Sequence, residues 1–429
     1  MAYRGGQALS AGRFLADVAR VARSLPEGKH VLNACADRYH FSVGFAASLV
    51  SGKQSLLPST HTPEVIRQLL AFAPDVVCLS DEDDCDIELP RVRYPEGDGE
   101  GVGFVVPRVA ADALAACVFT SGSTGTPLPY RKSWGHLVSC VREESGRLGL
   151  PGGCAIVATV PSQHMYGFES SVLLPLANGH ALAAERPFYP ADIAAVLSRV
   201  PQPRVLISTP IHLRALIESG TTLPPTELIL SATAPLAQQL AAEVEQRYRT
   251  KLLEIYGSTE TGQIALRRPT AGPEWRLWPG VTLVSKDGET FAQGGHIEQP
   301  TRMCDVLEMV DRERFLLHGR LADLVNIAGK RSSLAYLNHQ LNAIPGVQDG
   351  AFFHLEDARA THTGVTRVAA CVVAPELEAA ALLEALRQRI DPVFLPRPLL
   401  FVARLPRNTT GKLPQEALRS LVAAHLKSA

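Results

Sequence analysis

At 429 residues the chain has room for two or three domains, at about one per 100–200 residues. Its 46% apolar and 20% charged shares are those of an ordinary globular protein, which excludes a disordered chain and a small disulfide scaffold. The 42 basic and 43 acidic side chains nearly cancel, so no global field favours nucleic acid or an anionic membrane as the main partner. No window approaches the roughly 18 uncharged apolar residues of a membrane helix. The opening Met-Ala-Tyr-Arg-Gly-Gly lacks the basic-then-apolar build of a signal peptide, so a soluble, cytoplasmic protein is expected. The eight cysteines form no Cys-x-x-Cys pair and the thirteen histidines no His-Glu-x-x-His, which predicts buried reduced thiols and no dedicated metal cage.

Helix and strand signals alternate from the start. Apolar residues at helical spacing behind a Ser cap predict a helix over 10–25, a strand follows at 30–35, and helices are expected at 40–50 and 62–73. Residues 75–80 read as a strand and the acidic run 81–86 as a solvated loop. Glycines 97, 99, 101 and 103 follow no strand and open no helix, so they fail as a dinucleotide fingerprint. Strands are predicted at 115–120, 154–159, 203–208, 226–231 and 252–256, with helices at 133–148, 190–199, 210–218 and 235–249. Short buried strands separated by helices imply a doubly wound parallel sheet whose ligands bind beyond the strands' carboxyl ends. A β-rich stretch covers 263–319. The texture then changes to helix 332–343, strands 347–354 and 367–374, helix 377–390, strand 398–403 and helix 414–426. The expected α/β fold thus has a large N-terminal domain, residues 1–319, with doubly wound sheets and a β-rich subdomain. A small mobile α+β domain, residues 320–429, completes it.

Four loops carry chemistry. Thr120-Ser121-Gly122-Ser123-Thr124-Gly125-Thr126-Pro127 directly follows an apolar run and offers hydroxyls and open amides to phosphate oxygens, though it is no Walker A loop. Tyr256-Gly257-Ser258-Thr259-Glu260-Thr261-Gly262 also follows a strand and ends in a carboxylate suited to Mg²⁺ beside a phosphate. His318-Gly319-Arg320 opens a third loop at the domain junction, and Pro406-Arg-Asn-Thr-Thr-Gly411-Lys412 is the fourth. Taken singly, each has an ordinary alternative as a capped turn, a surface loop or an exposed lysine.

In this order the four loops resemble the adenylate-forming superfamily of acyl-CoA synthetases, aryl-acid ligases and peptide-synthetase adenylation domains, from about residue 115 to the C-terminus. Asp305, fifteen residues before Arg320, matches that family's ribose-binding Asp. Pro210 and Leu213, Ser231-Ala-Thr-Ala-Pro-Leu236 and Trp278-Pro-Gly280 match further landmarks. The resemblance implies ATP and Mg²⁺ as cofactors and a two-step reaction, in which a carboxylate attacks the α-phosphate and a thiol then takes the acyl group. It places Thr120, Ser121, Gly122, Ser123, Thr124 and Gly125 on the β- and γ-phosphates. Thr259 and Glu260 fall on the α-phosphate and metal, Asp305 and Arg320 on the ribose, and Lys412 on the reacting acid. Ser231, Ala232 and Thr233 fall on adenine and the acyl pocket, and Tyr256, Gly257 and Ser258 on the bound nucleotide. The segment Pro161-Ser-Gln-His164-Met-Tyr166-Gly167 resembles the one that gates the acyl tunnel, with His164 as gate and Tyr166, Gly167 and Ser258 beside the substrate.

Three departures stand out. Leu128 follows Pro127 where the family carries Lys, and Lys132 is the candidate to supply that charge; Ala322 occupies the hinge position and Asn326 that of the thioester-step lysine. A narrower resemblance covers residues 31–41, 127–135 and 323–331, which look like the short AMP-ligases of aryl-polyene and xanthomonadin pigment pathways. It implies a hydroxybenzoate-type acid passed to an acyl carrier protein. The alternatives are an aryl- or acyl-CoA ligase using free CoA, and a nucleotide-binding protein that has lost the chemistry. A domain rotation near residues 320–323 is expected to serve the two half-reactions.

Overall fold

The computed structural model describes residues 1–58, 60–97, 105–120, 128–320, 324–327, 330–354, 368–408 and 411–428. Two sheets form the larger part. A six-stranded sheet runs in the order Arg91–Arg93, Val77–Ser80, His30–Asn33, Gln54–Leu57, Leu114–Thr120, Leu128–Ser133. It is parallel except where Leu128–Ser133 returns antiparallel along Leu114–Thr120. The second sheet has eleven strands. Its parallel centre comprises Lys251–Ser258, Leu228–Ser231, Arg204–Ser208, Ala155–Ala158, Ala181–Ala183 and Ala2–Arg4. Antiparallel strands Gly262–Arg267, Trp275–Leu277, Arg314–Arg320 and Asp305–Met309 extend one edge, and Gln7–Leu9 closes the other.

The parallel centre is largely apolar because helices cover both of its faces. Val205, Leu206 and Ile207 are fully buried. Helices Pro190–Arg199, Pro210–Glu218 and Gln238–Tyr248 pack one face through Ile193, Leu197, Leu213, Leu240 and Val244. Between the two sheets lie helices Arg38–Val50 and Trp134–Leu148 and the helical run 165–178. There Phe45 meets Phe168 edge-on at 4.9 Å between ring centroids, and Phe41 joins at 6.4 Å. Burying each such ring contributes about 1.5–3 kcal/mol. Helix Ala11–Ser24, capped by Ser10 as its sequence predicts, buries Phe14, Val18 and Val21 in the same core.

A three-stranded meander, Val281–Lys286, Glu289–Gly294 and Ile297–Arg302, packs on Trp275, Trp278 and Phe315. Beyond it, helix Leu334–Asn342, strands Asp349–His354, Val368–Val373 and Leu399–Phe401 and helix Ala379–Arg387 share cores drawn only from residues after 324. All eight cysteines are free; Cys304 is exposed, against the expectation of burial, because it sits between two strands at the rim.

Three departures from the predicted elements affect the site. Leu128–Ser133 is a strand, because the Pro129-Tyr130-Arg131-Lys132 stretch pairs back onto Leu114–Thr120 instead of forming a loop. Gln54–Leu57 is a buried strand whose four residues were too short a signal to stand out. Residues 165–178 form one helical run interrupted by a π-helical turn, Glu169–Leu173. Such turns cost regular hydrogen bonding and recur at functional sites.

Candidate active site

The site residues cluster where the parallel strands end. Leu228–Ser231 delivers Ser231, fully buried with an unpartnered Oγ, to a point level with Ser208 of the neighbouring strand. Thr233, two residues on, adopts φ +80°, a backbone region that a β-branched side chain rarely tolerates. Strain of this kind, of order 1–3 kcal/mol, persists where surrounding structure fixes the chain. His164 caps the run that begins at Met165, and its imidazole is lowered to about 4, first by burial and then by Lys412, Arg186 and His61. It is therefore a neutral group near pH 7. Gly167 cannot be replaced: a Cβ there would stand 2.0 Å from the Pro161 carbonyl oxygen. Tyr166, expected beside the substrate, is buried and donates its hydroxyl to Leu230 O at 2.9 Å. Its hydrogen-bonding is thus spent on the strand that carries Ser231.

Strand Lys251–Ser258 runs into the second cluster. Tyr256 donates to Asp305 Oδ2 at 2.6 Å, and Asp305 lies directly opposite Arg320 in the antiparallel ladder. The fifteen-residue separation in sequence thus becomes a cross-strand pair. Ser258 and Thr261 exchange backbone and hydroxyl hydrogen bonds of 3.1–3.2 Å, which close the turn holding Thr259 and Glu260. Among the described residues the Glu260 carboxylate forms no hydrogen bond or ion pair, and it is partly exposed. One carboxylate without a hydrogen bond among the described residues is a donor that Mg²⁺ could use, since that ion takes one or two carboxylates plus substrate oxygens. No group of three metal-ligating side chains exists among the described residues.

Lys132 sits behind this turn, not in front of it. Its side chain is 3% exposed and its ammonium donates to Glu260 O at 2.8 Å. Burial lowers its pKa, while Glu169, Cys140, Glu260 and Glu298 oppose that shift. The expectation that Lys132 supplies the missing phosphate charge meets a lysine already committed to the protein. Residues 121–127 and 321–323 lie outside the described residues, so the Ser121–Gly125 assignments and Ala322 cannot be placed. The same holds for the side chains of Thr120, Arg320 and Asn326.

Lys412 arrives from the C-terminal part. Its loop is braced by Arg407, which grips Asp349 with two bonds of 2.8 Å and the Gly411 carbonyl at 3.0 Å. Asn408 closes the turn by accepting from Lys412 N at 2.9 Å. A Cβ on Gly411 would lie 3.5 Å from Ile211 at the start of helix Pro210–Glu218. Lys412 is exposed and its charge acts on His164, so the fourth loop stands on the same side as the segment that carries His164.

Two contributors escaped sequence reasoning. Arg38 is 1% exposed, donates to the carbonyls of Ala158 and Val160 at 2.9 Å and to Ser162 and Ser171, and so fixes the approach to His164. Glu169 is fully buried in the π-helical turn, and an acid inside the apolar run Phe168-Glu-Ser-Ser-Val-Leu-Leu was the available signal.

A family profile for AMP-binding enzymes matches residues 5–288, roughly two thirds of the chain. The chain belongs to the AMP-binding enzyme family. A 4-coumarate–CoA ligase of Rhodobacter capsulatus is 32% identical over 311 residues, 71% of this chain and 76% of that protein. One from Halorhodospira halophila is 30% identical over 68% of this chain and 73% of its own length. ATP-bound MatB from Rhodopseudomonas palustris superimposes with a TM-score of 0.82 at 21% identity, covering 97% of this chain and 94% of that one. Bacillus subtilis MenE in complex with ATP and magnesium ion gives 0.80 at 18% identity, covering 97% and 95%. The fold is that of the adenylate-forming enzymes, and this AMP-binding ligase activates a carboxylic acid with ATP. Membership in an enzyme family answers the alternative of a nucleotide-binding protein without chemistry. No described helix is long and apolar enough to cross a membrane.

Proposed function

We propose that this enzyme adenylates an aryl acid of hydroxybenzoate or hydroxycinnamate size and passes it to a phosphopantetheine thiol. The observation that supports the reading is the approach of Gly411 to Ile211, with the Lys412 charge acting on His164. In the first half-reaction the acid's carboxylate oxygen attacks the α-phosphorus, and the bond to the bridging oxygen breaks with its electron pair leaving on pyrophosphate. This needs positioning and charge stabilisation more than covalent help. Residues 120–125 would donate to the β- and γ-phosphates. Asp305, held by Tyr256 and faced by Arg320, would orient the ribose, while Ser231, Ala232 and Thr233 flank adenine and acid. Glu260 would hold Mg²⁺, which supplies neutralisation of phosphate charge. The Lys412 ammonium offsets the negative charge between acid and ribose, and neutral His164 borders the acid without competing for its carboxylate.

In the second half-reaction the thiolate attacks the acyl carbonyl and AMP leaves. We assign residues 1–319 to the nucleotide- and acyl-binding domain and residues 320–429 to a lid that rotates between the steps. The relatives' names support coenzyme A as acceptor. Asn326 in place of the usual lysine, with the resemblance to pigment-pathway ligases, supports an acyl carrier protein. Acid-dependent ATP–pyrophosphate exchange across benzoic, 4-hydroxybenzoic, 4-coumaric and octanoic acids tests the acid. Exchange confined to hydroxyaryl acids is expected, and exchange with octanoate alone would overturn the aryl reading. Supplying coenzyme A or a phosphopantetheinylated carrier to the preloaded enzyme then identifies the acceptor by which thioester forms.

A further inference from the structure

Behind the Glu260 turn lies a buried polar layer that the reaction itself does not touch. Lys132 reaches it from strand Leu128–Ser133 and donates to Glu260 O at 2.8 Å. Helix Trp134–Leu148 adds Cys140, whose thiol donates to Glu169 Oε1 at 3.2 Å, and Glu144, which accepts from Ser170 at 2.7 Å. Gln263 Nε2 donates to Ser170 Oγ at 2.8 Å. The next residue of the turn is held as well: His296 Nε2 lies 3.1 Å from Thr261 O, and His136 Nδ1 lies 2.7 Å from His296 O. Burial lowers His296 to about 4 and His136 to about 3, so both rings are neutral and His296 donates to the carbonyl it faces. Gly262, at φ +73°, closes the turn directly over Glu169; a Cβ there would stand 2.7 Å from its Oε1.

Glu260 O and Thr261 O are therefore each bound by a buried cation or ring, while the Glu260 carboxylate forms no hydrogen bond or ion pair among the described residues. A buried ammonium is expensive unless opposed by charge. Glu169 supplies the largest opposing attraction whenever it is ionised, and Lys132 in turn favours that ionised form against the burial that raises the acid to about 7. A lysine that stood ready for phosphate would instead extend into solvent, as lysines ordinarily do.

We propose that Lys132 is a positioning residue for adenylation: with Glu169 behind it, it fixes the Glu260 backbone and thereby the place where the Glu260 carboxylate receives Mg²⁺. This rests on the reading of Glu260 as the metal-holding carboxylate. It assigns the lysine a role different from a direct phosphate contact, and the two roles separate in equilibrium binding. Loss of a phosphate contact weakens ATP whether or not metal is present. Loss of positioning leaves metal-free ATP binding intact and raises the Mg²⁺ concentration needed to tighten it.

The experiment measures ATP binding by calorimetry, without acid substrate, in EDTA and across a Mg²⁺ series, with melting temperature as the fold control. Lys132→Met is expected to raise half-saturating Mg²⁺ roughly tenfold while ATP affinity in EDTA stays within twofold. Lys132→Arg, which keeps the buried charge but displaces the donor, is expected to fold normally and fall between the two. It carries the test should the methionine variant not fold. In a Glu260→Gln background, Lys132→Arg is expected to add no further shift. Weakened ATP binding in EDTA, or an unchanged Mg²⁺ requirement in both lysine variants, would overturn the proposal. If Glu260→Gln alone leaves the Mg²⁺ requirement unchanged, it is the reading of Glu260 that fails.

Discussion

Glu260 and Lys412, the two residues proposed to act on the reacting phosphate, rest on supports of opposite kind. The Glu260 turn rests on Lys132, Glu169, His136 and His296, all nearly or fully buried between the two sheets. Lys412 stands exposed on a loop braced by the bidentate pair of Arg407 with Asp349, above a separate core. The difference matches what the proposed reaction asks of each. A metal-holding carboxylate gains from preorganisation, because its cost is met on folding and not at the moment of reaction. A lysine that must leave after adenylation gains from a shallow seat such as Gly411 on Ile211.

The sharpest way to break this comparison is Lys412→Ala. Removing a charge that acts only on the transition state should cost adenylation about 10²–10³-fold, as for other lost electrostatic stabilisers, with ATP affinity and melting temperature nearly unchanged. Pyrophosphate exchange beside calorimetric ATP binding checks it. Parallel loss of ATP affinity would show that Lys412 is a binding residue instead.

The buried side of the comparison predicts a pH effect on stability. Burial raises Glu144 to about 8 and Glu169 to about 7 against an ordinary 4.5. Between about pH 5 and 8 the folded state therefore holds protons that the unfolded chain has released, and stability is lost as pH rises through that window. Glu144→Gln removes one such proton and keeps a group able to pair with Ser170. Its melting temperature should gain on the parent protein steadily from pH 5 to 8, by an amount worth up to a few kcal/mol. Identical pH slopes for the two proteins would mean that Glu144 ionises freely in the fold.

On the exposed side, Arg407→Ala removes the brace on the lysine loop and should slow adenylation about tenfold with little change in KM for ATP, since charge-assisted bidentate pairs carry about 1.5–3 kcal/mol. Arg407→Lys, which cannot form the fork, should recover only part of the rate. A rate unchanged by either variant would show that contacts with Ile211, not the brace, set the loop.

The two supports also differed in how plainly they could be read. Lys412 lies in an unbroken local pattern, Pro406 to Gly411-Lys412, and the helices on the parallel sheet followed their 3.6-residue period, as at Pro190–Arg199 and Pro210–Glu218. The layer beneath Glu260 had no such pattern. Lys132 alternates with Arg131 on a strand whose inward face becomes known only when Leu128–Ser133 pairs with Leu114–Thr120. Glu144 and Glu169 meet across two helices and a π-helical turn, and His136 meets His296 across 160 residues. The partner of Tyr166 was hidden for the same reason, because its hydroxyl points to a carbonyl 64 residues away. Local chemistry marks loops that face ligands; buried polar partners are chosen by packing that no window of sequence contains.

Tyr256→Phe asks how far preorganisation extends from the metal turn to the ribose. The hydroxyl donates to Asp305 Oδ2 at 2.6 Å, but Asp305 keeps a further partner and sits in the ladder opposite Arg320. The ring itself remains packed between Trp275 and Phe315, each 5.6 Å away between centroids. Only the orientation of one carboxylate should loosen, so the loss is that of a single hydrogen bond to a charged group already held elsewhere, about 1 kcal/mol or less. KM for ATP should rise about three- to fivefold with kcat almost unchanged, because the ribose is gripped alike in the ground and transition states. A fall in kcat of the same size would instead tie Tyr256 to the geometry of attack. The preorganised layer would then reach from Lys132 through the whole strand Lys251–Ser258.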